Sequence, residues 1–169
     1  MAKEREIYVD SNEGVSPKID IMEGQRFIID QVLQFYIEQR YQLVASGSLL
    51  PEEDKSVIFT GATITPLKRH LKEGIPSPGL CMVQKCLRTK RLDEMTNLNI
   101  IPDWTHYFTM CGILAAPGRI EKVSDETYEL LINRLKIPVN NLLIEASSRD
   151  KDLSDHWRNK GITIAEDTQ

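Results

Sequence analysis

The residues with the most chemical potential form one run, Gln84-Lys85-Cys86-Leu87-Arg88, followed by a polar stretch and then Tyr107-Phe108-Thr109-Met110-Cys111-Gly112. Leu80 to Arg88 is apolar enough for a central strand, and His106 to Leu114 reads as the strand that returns beside it. An arginine fixed on the floor of a sheet can grip a phosphate with two parallel N–H donors. An adjacent apolar strand can supply a wall and backbone groups for an adenine ring. The competing reading is a solvated arginine, which is the commoner meaning of that residue at a strand end.

Charge supports an anionic ligand locally. The chain carries a net charge of -4, yet Lys68, Arg69, Lys72, Lys85, Arg88, Lys90 and Arg91 face only Glu73, Asp93 and Glu94 across the same span. Such a surplus suits a nucleotide triphosphate, or else it is a solvated basic face. Other chemistries lack their motifs. There is no Gly-rich phosphate loop, no His-x-x-Glu-His string and no Gly-x-Ser-x-Gly string. His70, His106 and His156 are far apart. Cys81, Cys86 and Cys111 have neither disulfide nor zinc spacing, so no metal is expected and reduced thiols in the cytoplasm are. No run of about 20 apolar residues exists, and no membrane partner is expected.

The elements that must position these residues can be read in order. Residues 1–22 are polar and turn-rich and read as an N-terminal extension, with residues 23–169 as one domain. Apolar residues at helical spacing from Phe27 to Tyr36 predict a helix from about Gly24 to Tyr41. Val57-Ile58-Phe59-Thr60 is β-rich and predicts a strand. Pro66 to Lys72 predicts a short helix with Pro near its start and Gly74 after its end. Residues 89–104 form a long loop between the two central strands, of a length that is usually functional. Ser124 is the expected N-cap of a helix reaching about Leu135. Strand Leu142–Ala146, helix Asp150–Asn159 and strand Ile162–Ala165 follow. The order suits α+β with a mixed, mainly antiparallel sheet flanked by helices.

Several strings in this order resemble the alanyl-tRNA synthetase catalytic core, a class II synthetase. Gln84-Lys85-Cys86-Leu87-Arg88-Thr89 is similar to that family's Gln-Lys-Cys-Ile-Arg-Thr. Gly47-Ser48-Leu49-Leu50-Pro51 is similar to its Ser-Ser-Leu-Val-Pro turn, after an aromatic-rich first helix. Ile58-Phe59-Thr60-Gly61-Ala62 resembles Leu-Phe-Thr-Asn-Ala, and Tyr107 to Gly112 resembles Phe-Phe-Glu-Met-Leu-Gly. The likeness runs over about residues 24–165.

The resemblance implies a class II synthetase fold and ATP-dependent activation of alanine. It implies that Arg88 is the catalytic residue, clamping the α-phosphate, and that Met110 lines the adenine site. Lys90 and Arg91 are the further expected ATP-binding residues. ATP with magnesium is the implied cofactor, with an amino acid as co-substrate; tRNA is a doubtful partner.

Departures qualify this. Lys90-Arg91-Leu92-Asp93 stands where the family reads Gly-Gly-Lys-His, Thr109 replaces its Glu, and Gly61 replaces its Asn. The chain stops at Gln169, before the family's amino-acid pocket and its last ATP-binding arginine. The expectation is therefore an alanyl-tRNA synthetase-like module that binds ATP or an adenylate, with a partner chain supplying the rest. The alternative is a catalytically dead paralogue that acts by binding or regulation. A sheet edge left uncovered would make it a homodimer or heteromer.

Overall fold

Helix α1 (Ile21–Glu38) ends in a Schellman turn rather than running on to Tyr41. Arg40 adopts a left-handed φ of 67°. The Tyr41 N–H donates to the Tyr36 carbonyl (2.9 Å) and the Arg40 N–H to Ile37 (2.8 Å), satisfying the last-turn carbonyls. The ring of Tyr41 folds back to 5.1 Å from that of Tyr36, which is the apolar contact this motif favours. The computed structural model describes residues 21–52, 54–89, 105–147 and 149–167.

The turn leads into β1 (Gln42–Leu43), which lies parallel to β2 (Gly79–Leu87). Strand β2 pairs antiparallel with β3 (Tyr107–Ala115), from Gly79 opposite Ala115 to Leu87 opposite Tyr107. This three-stranded mixed sheet has β2 at its centre. A second, two-stranded parallel sheet joins β4 (Leu143–Ser147) and β5 (Thr163–Asp167). The architecture is the expected α+β arrangement of helices and a mixed sheet, with the last two strands set apart from the first three.

Successive side chains of a strand point to opposite faces. On the odd-numbered face, Cys81 lies under α1 in a cluster with Phe35, Tyr36, Tyr41 and Leu130. On the even-numbered face, Leu80 and Met82 pack on Leu67 of helix α2 (Ile64–Glu73). Two buried layers on opposite sides of one hairpin hold β2 rigidly in register.

Helix α3 spans Ile120–Tyr128 and widens into a π-helical turn at Glu129–Arg134. Its Glu126 is 4% exposed and is held by Tyr41 Oη (2.7 Å) and Arg119 Nη2 (3.1 Å), tying α3 to the end of α1. That carboxylate and burial both raise the pKa of the Tyr41 hydroxyl, burial most of all. Helix α4 (Lys151–Arg158) joins β4 to β5 and docks on α3. There Asp125 accepts from His156 Nε2 (2.8 Å) and Lys160 Nζ (2.6 Å).

Two further expectations are corrected. Residues 57–60 form no strand, with a bend at 58–59. The Thr60 N–H donates to the Leu49 carbonyl, and the Thr60 carbonyl accepts from the Leu87 N–H. The segment thus crosses the end of β2 and joins no ladder, so tertiary contacts override its β propensity. Ser124 is inside α3, not at its start. It is buried, and its hydroxyl donates back to the Ile120 carbonyl (2.8 Å).

Candidate functional site

Arg88 stands one residue beyond β2, at the rim of the even-numbered face, and it is exposed. Its backbone extends the hairpin by a rung, with its N–H donating to the His106 carbonyl (2.9 Å). The buried His106 donates from Nδ1 to the Arg88 carbonyl in turn. The backbone that carries the guanidinium is therefore fixed on both sides.

The side chain is fixed as well. Arg88 Nε donates to the Gly61 carbonyl (2.9 Å), and the guanidinium lies over the Phe108 ring at 5.0 Å. A cation on an aromatic face in this range is attractive. Nε is used by the protein, whereas the two terminal nitrogens make no hydrogen bond among the described residues. What remains is a pair of N–H donors on an anchored plane, a shape that matches two oxygens of a phosphate.

Phe108 and Gly61 were not singled out from the sequence. The signal for Phe108 was parity: it pairs with Cys86, so it shares a face with residue 88. Gly61 acts through its carbonyl. A Cβ built there would meet only the Leu87 oxygen at 3.6 Å and Arg88 Cγ at 3.7 Å, so space does not require glycine.

Met110 lies two residues further along the same face and is half-buried. Its Sδ is 3.5 Å from the Thr63 N–H and 3.6 Å from Thr63 Oγ1. Beside it, Gly112 is required by close approach, since an added Cβ would sit 2.3 Å from Thr63 Oγ1. Thr63 thus covers the sheet just inside Met110. Arg88 and Phe108 share a rim, with Met110 behind it. Lys90 and Arg91 lie outside the described residues.

A cavity of about 500 Å³ opens on the opposite face. It is lined by Ile29, Ser46, Gly47, Leu49, Val83, Lys85 and Thr109, and neither Arg88 nor Met110 lines it. Among the described residues, the basic surplus from Lys68 to Arg88 is accordingly dispersed. Lys85 faces one side and Arg88 the other, while Lys68 is paired with Asp54 at 2.6 Å.

Gln84 separates the two sides. It is fully buried, and its Oε1 accepts from the Gly47 N–H (2.8 Å) while Nε2 donates to the Gly47 carbonyl (3.1 Å). It is a strap that holds the segment after β1 along the edge of β2. Burial raises the pKa of all three thiols, at Cys81, Cys86 and Cys111. Among the described residues no three His, Cys, Asp or Glu side chains gather as a metal site. Among them, too, no helix is long and apolar enough to cross a membrane.

The chain that carries this hairpin and its flanking helices has relatives among known proteins. Residues 28–168 match the sequence profile of the class II (A) tRNA synthetases. The chain belongs to that family. Within it, similar curated proteins are alanine–tRNA ligases. The one from Clostridioides difficile (strain 630) is 27% identical over 137 residues, covering 79% of this chain and 15% of that protein. Those of Onion yellows phytoplasma (strain OY-M) and Parvibaculum lavamentivorans are 26% identical over 136 residues and 25% over 141, covering 77% and 81% of this chain and 15% and 16% of those proteins. The chain thus spans about 15% of the length of the curated relatives it matches.

Proposed function

We propose that this chain is an alanyl-tRNA synthetase-like module that binds ATP at the Arg88 rim of the β2–β3 hairpin. One observation carries the reading: the guanidinium is held by Gly61 and Phe108 with both terminal nitrogens unused among the described residues. In amino-acid activation a carboxylate oxygen attacks the α-phosphorus. The new O–P bond forms as the bond to pyrophosphate breaks, and negative charge builds on the non-bridging oxygens. Donors already aimed at that charge need no reorganisation as it grows. Arg88 fills that role, and Lys90, Arg91 and Met110 are the further proposed contacts. No protein nucleophile is needed; position and charge do the work. Magnesium would enter as the counter-ion that ATP carries.

A second reading is binding without catalysis. Its support is Thr109, in place of the acid at that position in the family string, together with the cover that Thr63 lays over Met110. We place the protein in the cytoplasm, in keeping with three free thiols. We further propose a homodimer or heteromer formed through the edge strand β3, whose sequence Tyr107–Ala115 carries no charge to discourage pairing. That partner would supply any parts of the amino-acid site beyond this chain.

Titration calorimetry with ATP and magnesium tests the binding. Arg88→Ala should weaken it about tenfold or more, the loss expected for a charge-assisted fork. Equal affinity in the variant, or no binding by the parent chain alone or with a partner chain, would remove the proposal. Alanine-dependent exchange of pyrophosphate into ATP would remove the second reading.

A further inference from the structure

We propose that the cavity on the odd-numbered face is a binding site for a small carboxylate with a short apolar body, separate from the Arg88 rim. It is a half-open groove of about 500 Å³, with Ser46, Gly47, Lys85 and Thr109 exposed along it and Ile29, Leu49 and Val83 half-buried. Ile29 of α1, Leu49 and Val83 supply an apolar lining, and Ser46 and Thr109 supply hydroxyls. Lys85 supplies the one cation of that lining.

That lysine has no partner of its own among the described residues. Of the described cations, Lys68, Arg119, Arg134, Arg158 and Lys160 meet carboxylates, at Asp54, Glu126, Glu38, Asp155 and Asp125, whereas Arg26, Lys72 and Lys122 form no ion pair among the described residues. Lys85 forms no such pair. The register explains why. Lys85 stands directly opposite Thr109 on β3. Opposite charges at such positions stabilise each other across a hairpin. Here the residue opposite is the neutral Thr109, so no cross-strand acid meets the lysine beside this partly apolar hollow. A ligand carboxylate can take the vacant position next to the ammonium, accept from the Thr109 and Ser46 hydroxyls, and lay its chain against Ile29, Leu49 and Val83. A phosphate monoester with no apolar part would use the cation and leave the lining wet. The proposal does not rest on ATP binding, because the two places are on opposite faces of β2.

The test is a backbone-amide NMR titration of the full chain with sodium hexanoate, with hexan-1-ol as the uncharged probe of equal length. Hexanoate should give saturable shifts centred on Ser46, Gly47, Val83 and Thr109. Hexanol should bind about tenfold more weakly or worse, for want of the charge pair. Lys85→Met should weaken hexanoate by a similar factor. Thr109→Glu should do the same while keeping a dispersed spectrum, because it gives the lysine an internal partner. Shifts that are unsaturated at about 20 mM, an affinity too weak for a site of this size, would overturn the proposal. So would equal binding of hexanol, or parental affinity in folded Lys85→Met. If Lys85→Met does not fold, Thr109→Glu decides: parental hexanoate affinity in that variant overturns the site.

Discussion

On the even-numbered face of β2, Leu80, Met82, Gln84 and Cys86 are all fully buried, and solvent is reached only at Arg88. On the odd-numbered face burial stops early: Cys81 is buried, Val83 is half-buried and Lys85 is exposed. One backbone with one register therefore carries a closed face and an open one. The closed face fixes its cation through Gly61 and Phe108. The open face leaves its cation unpaired, among the described residues, beside a cavity. A long core strand can thus serve two surfaces, because each face ends where its covering helix or loop ends.

The difference can be broken first at its core. Met82→Ala should cost about 2–5 kcal/mol, the usual range for emptying a packed site. Val83→Ala, one residue on and half-buried, should cost about 1 kcal/mol, with its side chain only partly withdrawn from water. Urea unfolding of the two variants measures the contrast, and equal losses would mean that the faces are equally packed.

A polar pair sharpens it. Gln84→Ala should cost about 1–3 kcal/mol, since it empties a fully buried position and removes both hydrogen bonds to Gly47. Lys85→Ala should stay within about 0.5 kcal/mol, as exposed unpaired positions do. Thermal melts distinguish them.

The smallest effect concerns the loop that covers the closed face and carries Gly61 and Thr63. Its half-buried Asp54 accepts from Lys68 and Ser56, and these bonds hold its pKa down to about 2, from an ordinary 3.8. Unfolding releases a carboxylate that binds protons more readily. The contribution is thus complete above about pH 4 and fades as the pH falls toward 2. Asp54→Asn should flatten that part of the acid stability profile and leave the neutral part nearly unchanged. A profile that is identical in the variant would show that the bond adds nothing.

The hairpin was legible because β2 and β3 are long, apolar and bounded by turn residues, and because Gln84 to Arg88 keeps a specific string. Which face would close was not legible. Leu80-Cys81-Met82-Val83 is apolar on both sides, so alternation carried no signal, and the most deeply buried polar residue proved to be the strap Gln84. Residues 57–60 misled because β-branched composition reports a half-buried surface, and here one was made by crossing a strand end. Ser124 misled because a serine that bonds back inside a helix has the same sequence signature as one that caps it. Arg88 was found through its string, whereas its anchors on Gly61 and Phe108 depend on a loop some 27 residues upstream and on cross-strand register.

The most direct test of the central claim is a crystal structure of the chain soaked with ATP and magnesium. The account predicts density at the rim of the even-numbered face, with phosphate oxygens within hydrogen-bond reach of the two terminal nitrogens of Arg88 and with Nε still on Gly61. Nucleotide bound elsewhere, or a guanidinium that keeps to Gly61 and Phe108 with no phosphate beside it at saturating ATP, would contradict it.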